Sequence, residues 1–149
     1  MGLGEASILV RPDMRWALNR NGDIVFDVGY GTHGAKIFNL LEGAGKNDLK
    51  VYGVMNICKP LTSTVTEIVK YVKEFGKMDG LINNSHWGEK TDLKIINDGI
   101  KIVYEASKIL KIPIISTTVE KKLAEKIGSF DFMNNPVWPL SLYVKDAYW

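Results

Sequence analysis

Three observations predict an α/β domain with a mostly parallel sheet of four or five strands and helices on both faces. First, short β-branched apolar runs alternate with longer stretches of helical spacing along the chain. Second, the short runs are apolar at successive positions. Both faces of such strands need cover, as in a parallel sheet flanked by helices. Third, cap and turn residues fall at the junctions between the two kinds of segment. Strands alternating with helices imply right-handed βαβ crossovers.

Four segments read as strands: Asp23–Val28, Lys50–Met55, Met78–Ile82 and Ile112–Ser116. Leu93, Ile96, Ile100, Val103, Ala106 and Leu110 recur every three or four residues and predict a helix over Asp92–Leu110. Val65, Ile68, Val72 and Phe75 do the same for Ser63–Phe75. His33–Leu41 and Val119–Ile127 are shorter helical candidates. Pro12 suits the first turn of an opening helix, Asp13–Arg20, which Asn21-Gly22 closes. Thr64 with Glu67 fits a capping box, and Thr91 before Asp92 fits an N-cap with an acidic first turn. Gly76 and Gly128 stand where a left-handed residue would end a helix. The tail Asn134–Trp149 carries two prolines and four aromatics and reads as a non-helical segment laid over an apolar surface.

The 149 residues, 46% hydrophobic and 24% charged, suit one soluble domain spanning residues 1–149. A chain of this length buries about two-thirds of its unfolded surface and needs no disulfide or metal staple. Nineteen basic and seventeen acidic residues give a formal charge of +2, spread evenly along the chain. No nucleic-acid or membrane-surface partner is expected from that balance. Cys58 is the single cysteine, which excludes an internal disulfide and fits a cytoplasmic location. No apolar run approaches the ~18 residues of a membrane span, and the basic-then-apolar pattern of a signal peptide is missing.

Three constellations could carry chemistry. In Asp27-Val-Gly-Tyr-Gly31 an aspartate ends an apolar run and glycines follow. A carboxylate at the carboxyl end of a strand can hold magnesium through water, and it can equally just cap the next turn. Asn83-Asn84 leads into Ser85-His86-Trp87-Gly88. Side-chain amides there can bond a purine edge, or simply begin an Asx-turn. Asn56-Ile-Cys-Lys-Pro60 places a lysine beside a helix N-terminus, where an anion could sit; an ordinary loop is the plainer reading. His33 and His86 have no second His or Cys at metal-ligand spacing, and Cys58 reads as an inert thiol. Gly43-Ala-Gly-Lys46-Asn47 is not a phosphate loop, because its glycines are misplaced and no hydroxyl residue follows the lysine.

In order along the chain, these residues resemble the C-terminal part of a MinD/ParA-like P-loop ATPase, the CobQ/CobB/MinD/ParA group. Asp23–Gly31 resembles the Walker B strand, and Asn56-Ile-Cys-Lys-Pro60 the Asn-x-x-Arg/Lys-Pro after the next strand. Gly80-Leu-Ile-Asn83-Asn84 resembles the strand ending at the adenine pocket. Ile112-Pro-Ile-Ile-Ser-Thr117-Thr118 resembles the strand whose exit borders the base. Pro136-Val-Trp-Pro-Leu resembles the closing segment of one branch. The resemblance covers most of residues 20–149. It implies ATP and magnesium as ligands, with Asp27 orienting magnesium through water and Asn83, Asn84, Thr117 and Thr118 around the base.

The family's phosphate loop has no counterpart in the chain. The expectation is therefore an incomplete, inactive ATP-binding domain: a fragment, a shortened relative, or one half of a split protein. The alternative is a non-catalytic scaffold or interaction domain on the same fold. Loss of the phosphate-loop strand would leave unpaired edges beside the Asp23–Val28 and Lys50–Met55 strands. That favours a homo-oligomer or a missing N-terminal half as partner.

Overall fold

The computed structural model describes residues 16, 19–29 and 49–143. The chain divides into two units, Met1–Leu49 and Lys50–Trp149, and every regular strand and α-helix described belongs to the second.

That unit is α/β. Its elements run β1 (Tyr52–Met55), a 3-10 turn (Pro60–Thr62), α1 (Val65–Phe75), β2 (Gly80–Asn83), α2 (Leu93–Leu110), β3 (Ile114–Glu120), α3 (Lys121–Ile127) and β4 (Val137–Leu140). The strands form one all-parallel sheet in the order β1-β2-β3-β4. Each crossover steps to the adjacent strand in the same direction, so successive right-handed crossovers place their helices on the same face.

The core lies under those helices. Met55, Leu81, Ile68, Val72, Val103 and Ala106 join β1 and β2 to α1 and α2. Ile96, Ile100, Val119, Ala124 and Val137 join α2 and α3 to β3 and β4. Each fully buried aliphatic side chain contributes about 1.5–3 kcal/mol relative to exposure. Helix α2 supplies residues to both clusters, so it is the central helix of the layer. On the other sheet face, Tyr52, Val54, Trp138 and Leu140 remain exposed, Val54 at 57%.

Capping follows local chemistry. The Thr64 hydroxyl accepts from the Glu67 amide at 3.2 Å, as the capping-box spacing predicts. At α2 the cap is Asp92, whose carboxylate accepts from Ile95 N at 2.8 Å. The expected cap, Thr91, is instead taken up one turn earlier, accepting from Trp87 N and donating to Gly88 O. Gly76 and Gly128 do close their helices with positive φ, +106° and +94°, but with ψ near −131° and −165° rather than the left-handed helical value.

Two strand assignments change. Asp23–Val28 is not a strand: residues 23–29 pair with no strand among the described residues. Ile24, Phe26 and Val28 are half-buried, while Asp23, Val25 and Asp27 are exposed, Val25 at 93%. An apolar run that exposes a valine so fully has no second layer to cover it. The sheet's fourth strand is Val137–Leu140, hidden in sequence by Pro139. A proline lacks the N–H of a ladder bond and is tolerated because β4 is an edge. The expected helix His33–Leu41 and nearly all of Asp13–Arg20 lie outside the described residues. Among the described residues, no helix is long and apolar enough to cross a membrane.

Gly99, in the middle of α2, is where the helix meets the β2–α2 loop. A Cβ there would collide with Ser85 and lie 2.9 Å from Asn83 Oδ1. Alanine favours a helix interior over glycine by about 1 kcal/mol. Overpacking against the short, hydrogen-bonded Ser85 costs about 1–3 kcal/mol. Gly99→Ala is therefore expected to lower stability in urea unfolding, against its helix propensity; an unchanged or raised midpoint would contradict this close packing.

Candidate functional site

A cavity of about 320 Å³ opens at the carboxyl ends of β2, β3 and β4. Parallel sheets place ligand sites at that end, because loops diverge there and backbone groups are left unpaired. Asn84, Ser85 and His86 from the β2–α2 loop, Thr118 and Glu120 from β3, and Leu140 and Leu142 after β4 form its principal walls.

Asn83-Asn84 and Thr117-Thr118 are split between two environments. Asn83 pairs with Thr117 in the ladder, and both face the helical layer. Asn83 is 1% exposed, and its Oδ1 accepts from the Ser85 hydroxyl at 2.6 Å. Its Nδ2 donates to Thr117 Oγ1 at 3.5 Å, the longest link of the set. Thr117 Oγ1 in turn donates to Asp131 Oδ2 at 2.7 Å. Neither Asn83 nor Thr117 lines the cavity. Asn84 and Thr118 do line it, and they are joined to each other: Thr118 Oγ1 donates to Asn84 Oδ1 at 2.7 Å. That bond turns the Asn84 amide so that Nδ2 keeps both N–H groups without a partner among the described residues.

Asp131 is the buried end of the network. It is 4% exposed and accepts from Thr117 Oγ1, from the amides of Met133 and Asn135, and from Asn135 Nδ2. No cation pairs with it among the described residues; hydrogen bonds alone compensate its burial. Asp131 was not singled out in the sequence, although Asp followed by Asn134-Asn135 is an Asx-turn signal.

The Asn56–Pro60 loop holds the site together rather than binding an anion. Asn56 Oδ1 accepts from Cys58 N at 2.9 Å and His86 N at 3.2 Å, and its Nδ2 donates to His86 O at 3.1 Å. Ile57 N donates to Ser85 Oγ, and the buried Thr62 hydroxyl donates to Asn56 O at 2.6 Å. The loops after β1 and β2 are thereby bonded into one surface. Lys59 is exposed and lies outside the cavity wall. Burial pushes the Cys58 thiol above its usual value, against the opposing pull of Lys59, which keeps it a poor nucleophile.

His86 was set aside in the sequence for want of a metal partner, yet it lines the cavity. Its Nδ1 accepts from Gly88 N at 3.3 Å, which leaves the proton on Nε2. Burial, and secondarily the Lys59 charge, hold its pKa below 6.5. The neutral ring is thus an uncharged donor in the wall. Among the described residues, Glu120 is the only charged one in the lining.

Asp27 lies in the other unit, exposed, in a segment with no regular structure. No cluster of three or more His, Cys, Asp or Glu side chains suited to a metal occurs among the described residues. Among the described residues Asp27 belongs to no such cluster, and a single exposed carboxylate holds magnesium weakly. Compared with known protein families, with curated proteins and with solved structures, the chain matches none.

Two predictions follow from this geometry. Asp131→Ala strands the buried Thr117 hydroxyl and three partly buried donors on Met133 and Asn135, a buried donor costing about 1–3 kcal/mol when left unsatisfied. A loss of at least about 3 kcal/mol in urea unfolding is expected, and a near-neutral variant would show that the network is not a determinant of stability. The second concerns His86. Its folded pKa lies below its unfolded value, so the unfolded state binds more protons at acid pH. The stability linked to neutral His86 is complete above about pH 6.5 and is lost as pH falls through the lower folded value. NMR titration should find that pKa below 6.5, and Lys59→Gln should raise it; a wild-type value at or above 6.5 contradicts the assignment.

Proposed function

We propose that this chain is a nucleotide-binding α/β domain that seats a purine base in the cavity at the strand ends and does not hydrolyse ATP on its own. The observation that carries this reading is the Asn84 amide, oriented by Thr118 and presenting two unpaired N–H donors to a cavity of small-molecule size. The resemblance to MinD/ParA-like ATPases points the same way and implies adenine as the base. Asn84 and Thr118 are the binding residues; Asn83 and Thr117 position them from behind.

Phosphate recognition needs backbone amides at a helix N-terminus or cationic side chains. Among the described residues the cavity wall contains no Lys or Arg. ATP and magnesium, the ligands the resemblance implies, therefore gain little from the triphosphate at this site. A cytoplasmic location, where such nucleotides abound, accompanies the reading.

A second reading, a scaffold or interaction domain, is favoured by the exposed apolar residues of the outer sheet face. Tyr52 and Val54 lie on β1, which has only β2 as a partner among the described strands. Pairing with a second copy, or with a separate N-terminal half, would cover such an edge.

Isothermal titration calorimetry separates the two. Mg-ATP is expected to bind no tighter than roughly the millimolar range, about −4 kcal/mol, with no hydrolysis above background. The corresponding nucleoside should bind about as well as its triphosphate, and Asn84→Ala should weaken both about tenfold. Micromolar Mg-ATP binding with no response to nucleoside would overturn the base-site reading, and silence toward every nucleoside and nucleotide would favour the scaffold.

A further inference from the structure

We infer that the cavity selects a purine whose Watson–Crick edge carries N–H donors, guanine or hypoxanthine, over adenine, and that the Glu120 carboxylate makes the choice. The inference rests on the base-site reading above and goes beyond it in naming the base and the discriminating residue.

Glu120 ends β3, lines the cavity and is half-buried. It also occupies the N-cap of α3, where an acidic side chain commonly bonds the first-turn amides, yet it makes no such bond. Its carboxylate forms no hydrogen bond or ion pair with any other described residue, although its backbone pairs with Leu140 in the ladder. A partly buried carboxylate with no partner in the wall of a cavity is a strong acceptor awaiting donors.

Strand geometry sets its spacing from Thr118, the partner of Asn84. Thr118 and Glu120 are two residues apart on β3, on the same sheet face and roughly 6.6 Å apart. Asn84 is bonded to Thr118 across the neighbouring strand. The wall thus offers the two N–H donors of Asn84, across the strand from Thr118, and the two acceptor oxygens of Glu120, further along the strand from it.

Guanine complements this pattern. Its N1–H and N2–H₂ are donors for a carboxylate, and its O6 and N7 are acceptors for an amide. Hypoxanthine retains N1–H and O6 but lacks the second donor. Adenine sets a bare N1 lone pair against the carboxylate, and its one exocyclic amine is the only group on that edge able to satisfy Glu120. Nucleosides carry no phosphate, so their binding reports the base contacts alone.

The test is calorimetric titration of the full chain with guanosine, inosine and adenosine, and of Glu120→Gln with the same three. Guanosine should bind about tenfold or more tighter than adenosine, with inosine between them. Glutamine both donates and accepts, so Glu120→Gln should bring adenosine level with guanosine or above it. Glu120 has no protein partner to lose, and an unchanged urea midpoint checks that the variant is folded. Equal binding of guanosine and adenosine by the wild type, or a preference that survives Glu120→Gln, overturns the inference while leaving the base site standing. If no nucleoside binds, both readings fall together.

Discussion

The candidate site hangs on one chain of hydrogen bonds that crosses the sheet beneath it. It begins at the Ile57 amide, passes through the Ser85 hydroxyl and the Asn83 amide to the Thr117 hydroxyl, and ends on the Asp131 carboxylate. Each hydroxyl donates onward in the same direction, so the links polarise one another. The chain ties the loop after β1, the ends of β2 and β3, and the turn before β4. In a low-dielectric interior such a network is costly when broken and specifying when complete. The apolar clusters beneath α1, α2 and α3 hold the layers together, but they do not set the position of a polar side chain at a strand end. The hydrogen bonds do, and that is why Asn84 and Thr118 arrive at the cavity in fixed orientations.

A good deal of the second unit was legible in the sequence. The helical spacing of Leu93 through Leu110 and of Val65 through Phe75 gives α2 and α1 within a residue or two. The apolar runs at 50–55, 78–82 and 112–116 locate β1, β2 and the start of β3. These succeed because burial on one helix face, or within a covered sheet, writes directly into residue periodicity. Asp23–Val28 misled for the complementary reason. A run of the right composition becomes a strand only when a neighbour completes its ladder, and composition carries no information about neighbours. Val137–Leu140 was missed because Pro139 argues against a strand unless its place at the sheet edge is known.

The site was only half visible. Asn84 and Thr118 could be placed near a strand end from their positions after apolar runs. That Asn83 and Thr117 face inward could not be read, since adjacent residues of like chemistry are separated only by the pleat. Asp131 escaped notice as well, and Asn56 was noted only as the start of the Asn56–Pro60 loop, not for its own hydrogen bonds. Their importance lies in what they accept from and donate to across 14 and 30 residues of chain. Long-range hydrogen bonding leaves no local signature. Glu120 was not singled out in the sequence, and its lack of a capping bond is a fact of geometry alone.

The irregularity between β2 and β3 has a further meaning. Leu81 pairs with Ile114, but Ile82 pairs with Ser116, so Ile115 is an extra residue in the ladder. Had the ladder run regularly through Ile115, Asn83 would face Ser116 and Asn84 would face Thr117, with Thr118 carried one step past them. Asp131 would then lose the hydroxyl that reaches it from Thr117, and Thr118 would stand on the helical face. The bulge at Ile115 thus sorts two identical neighbours into a buried strut and a cavity-facing hydroxyl. The lining of the cavity is set by counting along a strand as much as by the side chains themselves.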